Sequence, residues 1–159
     1  MRWYVPLLIL LSLTACEERT LEGPPPADHG EAPNAEEDPL GARMHAFGFE
    51  RAPVYEPEEG TLFRGNLRRG QVEDYPVTLV GTRCYVAATV GADSIESLDM
   101  TMVDPNGSPL LRDEDEGNEV LLGIRNSLCP AVPGVYRIRV RVTEGSGDFV
   151  VQLYGHDVI

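Results

Sequence analysis

Three cysteines, three histidines and a surplus of carboxylates are the side chains of this 159-residue chain that could carry chemistry. Nucleophilic and general acid–base catalysis both need a reactive group held against a titratable partner in a sheltered place. His29 and His45 lie in a proline- and acid-rich stretch, and His156 stands far downstream of both. No serine sits in a Gly-x-Ser-x-Gly elbow. No catalytic set emerges, and the chain is expected not to be an enzyme. The densest acidic run is Asp113-Glu114-Asp115-Glu116. Asp113 and Asp115 are the residues that could ligate calcium, which takes six to eight oxygens. The run lacks the twelve-residue loop with its glycine and terminal glutamate, so a solvated acidic loop is the simpler reading and no cofactor is expected. Arg137, Arg139 and Arg141 alternate with apolar residues. On one face of a strand they could grip phosphate or a glycan carboxylate, although alternating charge is also the ordinary wet side of a half-buried strand.

The thiols fall into two groups. Cys16 follows Leu13-Thr14-Ala15, at the exit of an apolar run from Trp3 to Leu13 that is preceded by Arg2. A basic start, a short hydrophobic core and small residues make a secretory signal, too short for the roughly 20 residues of a membrane-spanning helix. The Leu-Thr-Ala-Cys run resembles the lipobox of bacterial lipoproteins. The resemblance implies that Cys16 is lipidated and begins the mature chain after loss of residues 1–15. Two acyl chains suffice for stable attachment, each buried methylene contributing about 0.8 kcal/mol. Glu17 stands where enteric relatives that stay in the inner membrane carry aspartate, so the expected location is the cell envelope, on the outer rather than the inner membrane.

With Cys16 assigned to lipid, Cys84 and Cys129 form an even pair in an oxidising compartment, where a disulfide is the default. The closed loop would stabilise the fold by roughly 4 kcal/mol on the chain-entropy account. Two free buried thiols or half of a metal site are the alternatives, and neither a CxxC nor a nearby histidine supports a metal.

Charge narrows the partners. The chain carries 26 acidic against 13 basic residues, all of the latter arginine. Nucleic acid and anionic membrane both call for basic patches, so no nucleic-acid partner is expected and membrane contact falls to the lipid.

Residues 16–60 have the composition of a tether, with Gly23-Pro24-Pro25-Pro26, Pro33, Pro39 and many acids. Such a segment buries too little surface to offset its ordering entropy and stays extended and disordered. Leu40, Met44, Phe47, Phe49 and Val54 could add a helical turn or a strand to the domain that follows. From Thr61 the pattern becomes short alternating stretches between turn residues, the mark of β-structure. Tyr75, Val77 and Leu79 share a face, as do Cys84, Val86, Ala88 and Val90, and Leu98, Met100 and Met102. Tyr136, Ile138, Val140 and Val142 precede Glu144-Gly145-Ser146-Gly147, read as a turn, with Phe149, Val151 and Leu153 on the return strand. About eight strands and no convincing helix predict an all-β domain over residues 61–159, an antiparallel sandwich or barrel.

Leu67-(x)2-Gly70-Gln71-(x)3-Tyr75-Pro76-Val77, then Leu98-Asp99-Met100-(x)-Met102-(x)-Asp104-Pro105-(x)-Gly107, then Gly134-(x)-Tyr136-(x)-Ile138 and Gly147-(x)-Phe149-(x)-Val151 follow one another in an order similar to the bacterial pre-peptidase C-terminal domain. That resemblance implies a jelly-roll-like β-sandwich. Its usual companion, a catalytic domain, is absent from this sequence, and the cysteine pair departs from the general pattern. The function expected is a non-catalytic binding or structural module for a protein or an envelope polymer. The alternative is an accessory domain supplied in trans to a secreted hydrolase.

Overall fold

A computed structural model describes residues 25–113 and 116–158. The signal segment, Cys16 and Glu17, together with Glu114 and Asp115, lie outside the described residues. Within them the chain forms α1 (Pro39–Arg51), β1 (Glu56–Pro57), β2 (Phe63–Arg68), β3 (Val72–Leu79), β4 (Arg83–Gly91), β5 (Ile95–Val103), β6 (Pro109–Arg112), β7 (Glu119–Leu122) and β8 (Gly134–Asp157). All strand pairings are antiparallel. The fold is an all-β sandwich with one helix.

β8 belongs to both layers. Its first half pairs with β3 on one side and β5 on the other, and β6 continues that sheet beyond β5. Its second half pairs with β1 and β2 on one side and β4 on the other, with β7 beyond β4. The run Glu144-Gly145-Ser146-Gly147 is therefore a corner within one 24-residue strand and not the tip of a hairpin. Gly145 (φ 82°) and Gly147 (φ 155°) supply the bend. At Gly145 a side chain would collide with the Ser94 carbonyl and the backbone of Ile95 and Glu96. Strands that switch sheets make such corners at glycine or at bulges, and the β5–β8 pairing does shift register around Ser97.

The inner faces follow the alternation read from the sequence. Tyr75, Val77, Leu79, Leu98, Met100, Met102, Tyr136, Ile138, Val140, Val142, Phe149, Val151 and Leu153 form one core. β4 and the second half of β8 are buried on both sides. Tyr85 and Ala87 enter that core, whereas Val86, Ala88 and Val90 face outward beneath a second cluster with Met44, Ala52, Val150 and Tyr154. The covering element is α1, so part of the stretch expected to be tether is folded against the domain. Asp38 caps it by accepting from the Gly41 N–H at 3.0 Å, and Pro39 occupies the first turn, where its missing N–H costs nothing. Leu40, Met44 and Phe47 supply the apolar stripe. Gly48 brings the helix close, since a Cβ there would overlap the Tyr154 ring and hydroxyl. Arg43 fastens the helix at its side, donating to the Gly91 carbonyl and to Asp93 at 3.1 Å and to Glu119 at 2.9 Å.

The Cys84–Cys129 disulfide is present. It joins the start of β4 to the segment between β7 and β8, with the Cα atoms 4.1 Å apart. Beside it, Tyr85 and Leu128 exchange backbone hydrogen bonds of 2.8 and 3.0 Å.

Candidate functional site

Three regions bear on function: the outer face of the β3–β8–β5–β6 sheet, the open seam between the two sheets, and a cavity under the strap that precedes α1.

The first region holds the three arginines. β8 places Arg137, Arg139 and Arg141 at alternate positions on the wet side, in register with Pro76, Asp74 and Val72 of β3. Asp74 faces two of them. Arg139 Nε and one terminal nitrogen donate to its two oxygens at 2.7 and 2.8 Å, and Arg137 Nε lies 3.8 Å away. The Arg139 fork holds the Asp74 carboxyl below the ordinary carboxylate range, against the opposing effect of partial burial. Arg112 sits 3.7 Å from Asp99 on the same sheet. Arg141 has no ion-pair partner within 4.0 Å among the described residues. The three arginines thus share a face as expected, but two are braced by one aspartate and the third is left to solvent. Val72 and Val135 flank the row, each about half exposed.

At the second region the sheets part. β6 ends one sheet and β7 ends the other, and each is paired on one side only. Between them lies a cleft of about 350 Å³. Leu111, Leu121 and Ile124 give it apolar walls, and Phe47 and Arg51 of α1 close one flank. Arg51, Arg112 and Arg125 line it together with Asp113 and Glu119. Of the two expected calcium residues, Asp113 is half-buried at the edge of this cleft. Among the described residues, no group of three or more His, Cys, Asp or Glu is placed to hold a metal.

The third region overturns the expectation that His29 and His45 belong to a moving tether. The strap is tied down where the Ala27 N–H donates to the Pro53 carbonyl at 2.7 Å. His29 is only 8% exposed, packed edge-on against Phe49 and tilted against Tyr154. Its Nε2 is buried and has no hydrogen-bond partner among the described residues. His45 stands 6.4 Å away, ring centre to ring centre, its own Nε2 3.0 Å from the Gly30 carbonyl. Burial first, and the His45 charge second, push the His29 imidazole below its ordinary pKa. Burial alone pushes Tyr154 up to about 12. The cavity they line, with Glu31, Met44 and Gln152, measures about 130 Å³, room for a few waters and little else.

Sequence reasoning missed Arg51 and Arg125 as neighbours. One ends a helix not expected to form, and the other sits in a loop that only the sheet topology brings to the seam. No family model matches the chain, and no curated protein matches it.

Proposed function

We propose that this is a cell-envelope lipoprotein, anchored through Cys16, whose sandwich is a non-catalytic binding or structural module for a protein or envelope polymer. One observation carries the binding half of the reading. The outer face of one sheet is covered by the chain's own helix, whereas among the described residues no helix covers the outer face of the other, which carries the Arg137–Arg139–Arg141 row. Asp74 fixes the Arg139 guanidinium in place through two hydrogen bonds, which removes part of the entropy cost of ordering the row on a partner. A planar guanidinium takes carboxylate or phosphate through paired hydrogen bonds, so an acidic protein surface or an anionic glycan suits the row. The anchor half rests on Leu13-Thr14-Ala15-Cys16.

Cross-linking in the native cell, followed by capture, tests both halves. Wild-type protein is expected in the membrane fraction, labelled by a palmitate analogue and cross-linked to a discrete protein or polymer. Cys16→Ser should abolish labelling and release the protein. Replacing Arg137, Arg139 and Arg141 together by glutamine should reduce the cross-link while leaving the label intact. Recovery of one secreted hydrolase as sole partner would favour the accessory-domain alternative. Turnover of a substrate by the purified protein, lost on replacing a single acid or histidine, would overturn the binding reading.

A further inference from the structure

The seam offers a second site of a different kind. β6 and β7 each have four residues and, among the described residues, each is paired with another strand along one side only, so the other side presents backbone N–H and C=O groups. Exposed edges of this sort are blunted in most proteins by charge, by bulges or by a covering element. Here β7 is left beside a cleft whose walls combine Leu111 on the β6 side and Leu121 and Ile124 on its own with charged side chains. An extended peptide laid along β7 would satisfy the free backbone groups and seat alternate side chains against those walls, as in β-strand addition.

The charges around the cleft decide what kind of peptide. Glu119 is held by Arg43 at 2.9 Å and is not available to a ligand. Arg51 lies over the Phe47 ring, 5.7 Å from its centre, and neither it nor Arg125 has an ion-pair partner within 4.0 Å among the described residues. In a chain of formal net charge −13, two arginines placed in this way stand at one cleft, with Asp113 at its edge. We infer that the β6–β7 seam binds an extended segment of a partner protein in which apolar and acidic residues alternate. The apolar set faces Leu111 on the core side of β7, and the carboxylates, on the opposite side with Leu121 and α1, meet Arg51, with Arg125 beyond the end of the strand. The site is independent of the Arg137–Arg139–Arg141 face, so either can fail without the other.

The probe is a seven-residue peptide alternating valine and glutamate, titrated into the isotopically labelled full chain in detergent and followed by amide chemical shifts. The expected result is saturable movement of the β6 and β7 amides, with affinity weakened about tenfold, or about 1.4 kcal/mol, when Arg51 and Arg125 are both changed to alanine. Methylating alternate backbone nitrogens of the peptide leaves its side chains intact and should abolish binding, because the strand can then no longer pair. Both arginines are on the surface, and an unchanged spectrum elsewhere in the variant shows that it is folded. No movement of the β6 and β7 amides at about 1 mM peptide overturns the assignment. So does equal binding by the methylated peptide, or by one with lysine in place of glutamate.

Discussion

His29 shows how much one side chain can be changed by what folds over it. Its imidazole is pushed below its ordinary pKa by burial and then by His45, with Asp28 and Glu56 as the acids that oppose this. A folded pKa below the unfolded value means that the unfolded state binds the extra proton. The stabilisation from neutral His29 is complete above the unfolded pKa of about 6.5 and is lost as pH falls from there towards the folded value. Thermal melts from pH 8 to pH 5 should therefore lose stability below about pH 6.5, and His29→Phe should flatten that part of the profile. An unchanged slope in His29→Phe would assign the dependence elsewhere. The disulfide belongs to the same scale. Changing Cys84 and Cys129 together to alanine should lower stability by about 2–5 kcal/mol, read by denaturant titration. The pairing of these cysteines was readable from the sequence because compartment and parity leave few options. The burial of His29 was not, because nothing local distinguishes a histidine in an acid-rich strap from one that touches a tyrosine 125 positions downstream.

At the scale of elements, α1 is the main difference between expectation and structure. The signals were present: Asp38-Pro39 is a good helix start, and Leu40, Met44 and Phe47 have helical spacing. Proline and acid in the surrounding stretch outweighed them. A second sign lay in β4, where Tyr85 to Val90 is almost continuously apolar and so needs cover on both faces. Removing residues 1–59 should uncover Val86, Ala88, Val90 and Val150, at roughly 1.5–3 kcal/mol for each large apolar side chain exposed. The shortened protein is expected to melt lower and to bind a hydrophobic dye, and an unchanged melting curve would make α1 a mere passenger. Gly48→Ala tests the same contact more finely. The added methyl meets the Tyr154 ring, and overpacking of this kind costs about 1–3 kcal/mol. The inner faces, by contrast, were legible almost residue by residue, because a period of two in a half-buried strand leaves little freedom in which side chain points inward.

For the whole molecule, the feature that organises everything is β8. Sequence pattern alone reads Gly145-Ser146-Gly147 as a hairpin tip, since glycine at positive φ serves a turn and a corner equally well. Which of the two forms depends on partners far away in sequence. Gly145→Val should destabilise by more than about 1 kcal/mol, with effects on amides in both sheets, whereas a hairpin tip would tolerate the change with local effects only.

Because β1, β2, β3, β4 and β5 all pair with β8, none of those ladders can close until residues 134–157 are available. Only β4–β7 and β5–β6 could form before it. A chain emerging from the ribosome therefore carries most of its strands without their partner until nearly all of them have been made. Pairings so distant in sequence also make for slow closure. For the exported lipoprotein proposed above, this delay would be an advantage, since what has not yet folded can still be threaded. In that setting the long shared strand would act as a clasp that shuts last, on the far side.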